Sequence, residues 1–190
     1  MRKIRSLVTG HRGYIGGNLF TQLESLGHDV KGIDLKEGKN IVCDLDQYED
    51  FKPDYIFHLA AIPRVAYSVE FPEEVLVYGL DTVSLRYFNV YSEDQEADGP
   101  YATAIANFMH YIRQGKTPFI TGDGTQRRDM VHVSDVVSAN VFCMDSNRPG
   151  EVQITKGNTL ALKKIGWCAK MDISTGIRSC FQKLAAEIRE

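Results

Sequence analysis

Gly10, Gly13 and Gly16 punctuate the run Gly10-His11-Arg12-Gly13-Tyr14-Ile15-Gly16, which separates an apolar strand from an amphipathic helix. Ile4, Leu7 and Val8 lead into the run, and Ile15, Leu19, Leu23 and Leu26 follow it at helical spacing. The chemistry such a run can do is phosphate binding. One glycine permits the sharp turn off the strand, another lets the backbone approach a pyrophosphate, and a third lets helix pack on strand. The helix N-terminus then aims unpaired N–H groups at the anion. Asp34 closes the next apolar strand, Val30 to Leu35, about twenty residues further on. A carboxylate there suits the ribose hydroxyls of NAD and repels the extra phosphate of NADP. An ordinary strand–helix turn followed by a solvated aspartate is the competing explanation. The joint occurrence of turn, helix and acidic strand end favours NAD.

The elements that must position this turn alternate strand with helix, the pattern of an α/β protein whose parallel sheet is covered on both faces. After the Asp34 strand, Asn40 to Leu45 reads as a short third strand and Asp46 to Lys52 as a helical stretch closed by Pro53. Tyr55 to Ala61 is a continuous apolar run of buried-strand length, and Val83 to Tyr91 is another, with a short helical piece around Glu73 to Tyr78 between them. The acidic stretch Glu93 to Pro100 is a loop. Tyr101 to Gln114 predicts a helix with Ile105, Phe108, Met109 and Ile112 on one face and Gly115 as its stop. Phe119-Ile120-Thr121 leads into the Gly122-Asp123-Gly124 turn, Met130 to Val133 reads as a strand, and Ser134 or Asp135 caps a helix towards Met144. Glu151 to Thr155 is a further strand. Asp172 caps a last helix whose buried stripe is Ile173, Ile177, Phe181, Leu184 and Ile188.

Bulk properties exclude several classes of function. A chain of 190 residues, 43% hydrophobic and 25% charged, has the composition of a soluble globular protein with a real core. Its net charge of -3 gives no reason to expect nucleic acid or an anionic membrane as partner. Cys43, Cys143, Cys168 and Cys180 form no CxxC pair and have no histidine at metal-ligand spacing, so no metal site is expected. They read as reduced, mostly buried thiols of a cytoplasmic protein. The basic start Met1 to Ser6 runs straight into the first strand and is not read as a signal peptide.

The segments, taken in order, resemble the extended short-chain dehydrogenase/reductase superfamily, and within it the NAD-dependent nucleotide-sugar epimerases and dehydratases, nearest to the UDP-glucose 4-epimerases. The resemblance rests on Thr9-Gly10 to Gly16, Asp34, Asp44-Leu45, His58-Leu59-Ala60-Ala61, Arg86 to Tyr91, and Gly122-Asp123-Gly124 through Arg128 to Val137. It implies a Rossmann-type doubly wound parallel sheet with a small C-terminal substrate-binding lobe. Residues 1–92 would be the NAD-binding core, 93–128 a segment of the substrate lobe, 129–155 a return to the core, and 156–190 the remnant of the C-terminal lobe. The cofactor residues it implies are Gly10, Arg12, Gly13, Tyr14, Ile15, Gly16, Asp34 and Tyr87. Asp44 and Leu45 would border the adenine, and Leu59, Ala60 and Ala61 would pass beneath the phosphates and ribose. Asn89 would bond the diphosphate of a nucleotide-diphosphate sugar, Asn107 and Phe108 would meet its nucleotide, and Arg128 would neutralise a phosphate. Phe108 as plain core and Arg128 as half of a solvated surface pair with Arg127 are the competing explanations.

The family's chemistry moves a hydride between NAD and a sugar carbon, helped by a tyrosine whose pKa is lowered by a lysine one helical turn later. That pair belongs between the strand ending Ala60-Ala61 and the strand beginning Val83. Here the interval is only Ile62 to Thr82, with no Tyr-x-x-x-Lys and no Ser-Ser or Ser-Thr pair. The chain's single Tyr-x-x-x-Lys, Tyr48 and Lys52, precedes the His58 strand and should face away from the nicotinamide, so no catalytic residue is assigned. A second shortfall lies between Lys156-Gly157-Asn158-Thr159-Leu160 and Gly166-Trp167, which stand too close together for the family. Both junctions have family sequence on each side, as if whole blocks, including a central strand and two helices, had been excised. The Val83 strand must then pair directly with the Tyr55 strand, or a gap exposes backbone and apolar surface.

Three readings follow. The chain is a nucleotide-sugar epimerase or dehydratase of this plan, acting on a UDP-sugar; or it is a non-catalytic relative that binds NAD or a nucleotide and acts through a partner; or it is a degenerate product without a stable fold. A homodimer is compatible with the first two.

Overall fold

The computed structural model describes residues 2–60, 83, 85, 87–97, 102–145, 160–164 and 166–189. The chain divides into two compact units, Met1–Val83 with Cys143–Glu151, and Ser84–Phe142 with Val152–Glu190.

The first unit is built on β1 (Arg5–Thr9), α1 (Tyr14–Ser25), β2 (Asp29–Ile33) and β3 (Tyr55–His58). The three strands form a parallel sheet in the order β2-β1-β3. β1 is central, and its near-continuous burial follows from that place, because a parallel sheet is covered on both faces. Leu7 and Val8 are fully enclosed, as are Leu19 and Leu23 from α1. Leu7, Ile33, Tyr48 and Phe51 form one core cluster. Leu26 is the C-cap of α1 and is exposed.

Two expectations are corrected here. Asn40 to Leu45 is not a strand but a series of turns followed by a 3₁₀ turn, Leu45–Phe51. Its backbone is tied locally: the N–H groups of Cys43 and Asp44 donate to the Asn40 carbonyl, and that of Asn40 donates to Asp44. Val42 is 84% exposed, so its β propensity has no surface to pack on. The run from Tyr55 is a strand only as far as His58. Among the described residues β3 pairs with β1, and its Ile56 is 56% exposed; the interval that leads to the Val83 strand lies outside the described residues.

The second unit contains β4 (Val90–Tyr91), α2 (Ala104–Arg113), β5 (Val131–His132), α3 (Val133–Asp145, which continues into the first unit), α4 (Leu160–Lys164) and α5 (Ile173–Glu187). β4 and β5 pair in parallel. Tyr91, Ile105, Met109, Cys180 and Leu184 form its core. Thr103 caps α2 by accepting from the Ala106 N–H, and Asp172 caps α5 by accepting from Thr175. Asp135 is buried inside the first turn of α3 and accepts from the N–H groups of Lys170 and Met171 at 2.8 and 3.0 Å.

Corrections apply to this unit as well. α3 starts directly at Val133, so Ser134 and Asp135 lie within the helix instead of capping it. The buried stripe of α5 is Gly176, Cys180 and Leu184, flanked by Ile177 and Phe181, while Ile173 and Ile188 are exposed. Gly176 leads that stripe because Tyr91 packs on it: a methyl there would run into the tyrosine hydroxyl. Of the four thiols only Cys180 is buried; Cys43 and Cys168 are exposed and Cys143 is intermediate. The expected helix at Glu73 to Tyr78 and strand at Glu151 to Thr155 lie outside the described residues.

Candidate functional site

The turn between β1 and α1 is shaped by what its glycines lack. Gly10 has φ +72°, and a Cβ on it would stand 2.7 Å from the Ala60 backbone nitrogen. A Cβ on Gly16 would run into the Gly10 carbonyl oxygen. The Gly10 N–H donates to the Ile33 carbonyl at 2.8 Å, and that of Gly13 donates to the Gly10 carbonyl at 2.9 Å. The turn is thereby locked to β2, to α1 and to the end of β3. Gly13 is the N-cap of α1 and supplies no side chain to its first turn. The result is a helix N-terminus that no side chain caps, which suits a phosphate.

Asp34 follows β2 and is buried. Its two oxygens accept from the backbone N–H of Arg12 at 2.9 Å and of Lys36 at 2.8 Å. Burial alone would raise its pKa, but those two N–H groups, with the His11 and Lys36 side chains, hold the carboxyl below its usual value. Each oxygen keeps acceptor capacity for a ribose hydroxyl. The glycine cradle and the ionised Asp34 therefore fit the adenosine diphosphate half of NAD. Leu45 is 46% exposed, as a side chain meant to cover a ring face would be, and Asp44 accepts from Asn40 and from the Gln47 side chain. Leu59 and Ala60 are held against Thr9, by its carbonyl and its hydroxyl respectively. Tyr14 and Ile15 occupy the first turn of α1. Ala61 lies outside the described residues.

Sequence reasoning assigned no role to three residues near Asp34, namely His11, Lys36 and Glu37. The Arg12 guanidinium Nε donates to Glu37 at 2.5 Å, and Lys36 Nζ donates to the Arg12 carbonyl at 3.2 Å. His11 lies buried against Phe20, with its Nε2 3.3 Å from the same Glu37 carboxylate. Arg12, whose guanidinium donates to it, is the main reason that the Glu37 carboxyl is held below its usual value. The Lys36-Glu37 pair directly after Asp34 was the available signal.

The residues assigned to the substrate are not gathered in the same way. The Asn89 side chain donates to the Asp129 carbonyl at 2.9 Å, from a backbone with φ +43°. The Asn107 side chain turns back on its own helix, donating to Thr103 and Ala102. Phe108 is half-buried, and exposed Arg128 donates to the Arg127 carbonyl. The Tyr87 hydroxyl donates to Asn140 at 2.9 Å. Among the described residues none of Asn89, Asn107, Phe108 and Arg128 bonds to another of the four.

Tyr48, the tyrosine of the lone Tyr-x-x-x-Lys, is buried in the first unit's core and donates its hydroxyl to the Gly32 carbonyl at 2.7 Å. Lys52 ends the same 3₁₀ turn, so the pair does not share an α-helical face. Among the described residues no group of His, Cys, Asp or Glu is arranged to hold a metal ion, and no helix is long and apolar enough to cross a membrane.

A family model described as the NAD dependent epimerase/dehydratase family matches residues 6–78 and 76–155. The two pieces meet inside the interval Ile62 to Thr82, where the Tyr/Lys block is missing. The UDP-N-acetyl-alpha-D-glucosaminuronate decarboxylase of Bacillus cytotoxicus is 40% identical over 74 residues, covering 39% of this chain and 23% of the decarboxylase. The chain thus spans under a quarter of that curated relative. The UDP-glucose 4-epimerase of Mycolicibacterium smegmatis is 26% identical over 227 residues, covering 73% of this chain and 72% of the relative. Among solved structures, the UDP-N-acetylglucosamine 4-epimerase of Methanobrevibacter ruminantium M1, in complex with UDP-N-acetylmuramic acid, aligns with a TM-score of 0.74 at 21% identity. That alignment covers 98% of this chain and 100% of the other, and it establishes the shared fold.

Proposed function

Because the chain belongs to the NAD dependent epimerase/dehydratase family, we propose that it binds NAD on the Gly10 to Gly16 turn and follows the plan of a UDP-sugar 4-epimerase. The observation that carries this reading is the turn itself, with a Cβ-excluding Gly10 on one side and the ionised Asp34 on the other. α1 directs its N-terminus to the pyrophosphate, Asp34 accepts from the adenosine ribose, and Leu45 with Asp44 borders the adenine. Leu59 and Ala60, held against Thr9, are assigned to the phosphates and ribose, as Ala61 is from the sequence, and Tyr87 is assigned to the cofactor. The cofactor's chemistry in such an enzyme is to accept a hydride from a sugar carbon and return it. Asn89, Asn107, Phe108 and Arg128 are the residues we assign to the nucleotide-diphosphate sugar. The relatives that act on UDP-sugars support that substrate class. We place the protein among cytoplasmic isomerases, with a homodimer as its assembly.

A specific observation favours a second reading, a relative that binds NAD and nucleotide without turnover. The chain's one Tyr-x-x-x-Lys has its hydroxyl committed to the Gly32 carbonyl. Loss of a positioned acid/base costs about 10²–10⁴ in rate. The test is NADH titration by nicotinamide fluorescence, followed by incubation with UDP-glucose and UDP-N-acetylglucosamine and separation of the epimers. Binding with slow epimerisation supports the enzyme, and binding with none supports the silent relative. Failure to bind NADH sinks both.

A further inference from the structure

The surroundings of Asp34 hold a contradiction of charge. An acidic residue at the end of the second strand selects against a 2′-phosphate, yet two cations, Arg12 and Lys36, stand beside it. An arginine in that position is the side chain that would grip the extra phosphate of NADP through its planar fork. Here the guanidinium is held by one edge: Arg12 Nε donates to Glu37 at 2.5 Å, and the same carboxylate oxygen lies 3.3 Å from His11 Nε2. Glu37 sits two residues beyond the first position of the 3₁₀ turn that Asp34 caps, so the backbone fixes both carboxylates relative to each other. The Arg12 hydrogen bond holds its carboxyl below the usual glutamate value, so it carries its charge at neutral pH.

We propose that Glu37 is a specificity-determining residue: by neutralising and orienting Arg12 it withholds the guanidinium from a 2′-phosphate, and so completes the discrimination against NADP that Asp34 begins. The proposal rests on the reading that the Gly10 to Gly16 turn holds a nicotinamide dinucleotide. Asp34 repels the phosphate directly, whereas Glu37 acts through Arg12. Without Glu37 the site would carry one carboxylate and two cations, and its preference would shift towards the more negative cofactor.

The experiment titrates the full chain, its Glu37→Gln variant and the Arg12→Gln/Glu37→Gln double variant with NADH and with NADPH. Glu37 is on the surface of a short turn, and circular dichroism of each variant checks that the fold is kept. The expected result is that Glu37→Gln tightens NADPH by about tenfold, the worth of one charge-assisted hydrogen bond, and moves NADH by less than about twofold. The double variant should lose the gain, because Arg12 is the agent. The gain should also shrink between roughly 0.05 M and roughly 0.5 M salt. An unchanged NADPH to NADH ratio in Glu37→Gln overturns the proposal, as does a gain that survives removal of Arg12 or a variant that weakens NADH equally. If the unaltered chain binds neither cofactor, it is the dinucleotide reading that fails.

Discussion

The nucleotide turn and the second unit solve the same problem, fixing a polar constellation, with opposite materials. Around Gly10 the geometry is made by backbone. Carbonyls and N–H groups of Gly10, Gly13 and Ile33 bond to one another, and the side chains that matter are the ones that are missing. In the second unit the geometry is made by side chains. Asp135 holds Lys170 and Met171, Trp167 donates to Ser138 at 2.9 Å, and His132 spans Ser134 and Glu93. A backbone-built site is complete before its ligand arrives. The side chains of Asn89 and Asn107, by contrast, are already bonded within the protein, to the Asp129 and Thr103 carbonyls.

The contrast can be broken by substitution. The largest effect is expected for Gly10→Ala, which meets both a positive φ and the Ala60 backbone: NADH binding should fall more than about a hundredfold, with a loss of roughly 3 kcal/mol in urea unfolding. Next is Asp135→Ala, which strands two N–H groups; it should cost about 2–4 kcal/mol yet leave NADH affinity within about twofold. If affinity falls with stability, the two regions are not independent and the contrast fails. Asp34→Asn should weaken NADH by about tenfold. Its pH dependence has a defined sign. The folded carboxyl lies below its ordinary 3.8, so the stability Asp34 adds is full above that value and is lost as pH falls through the lower folded one. The stability difference between the unaltered chain and its Asp34→Asn variant should therefore be flat above about pH 5 and close only in stronger acid.

The smallest effect sharpens the view of the second unit's core. Burial, with Glu93 nearby, pushes the Cys180 thiol up to about 11. At about pH 8 a thiol reagent should modify exposed Cys43 and Cys168 promptly and reach Cys180 only on unfolding. Prompt labelling of Cys180 would mean that the cluster around Tyr91 is open.

The same division explains what could be read from the residues. β1, the glycine turn and α1 were legible because each needs a particular residue type: apolar runs for a doubly covered strand, and glycine where a Cβ would collide. Asn40 to Leu45 was misread because β-branched neighbours look alike whether they face a sheet or water, and Val42 faces water. The α5 stripe was displaced for a related reason. Periodicity marks bulky residues, but the line of closest packing runs through Gly176, which has no side chain. Neither the Arg12–Glu37 pair nor the His132–Glu93 contact has a spacing rule, because each joins residues brought together by tertiary structure.

The uncapped start of α1 carries a thermodynamic consequence. On the proposed NAD reading, a ligand seated on that helix end binds the folded chain alone, so cofactor occupancy and conformational stability are linked quantities. At free NAD about a hundred times the dissociation constant, that linkage adds roughly 2.7 kcal/mol. The melting temperature of this protein would then report the nucleotide concentration around it, and dialysis would remove stability along with cofactor.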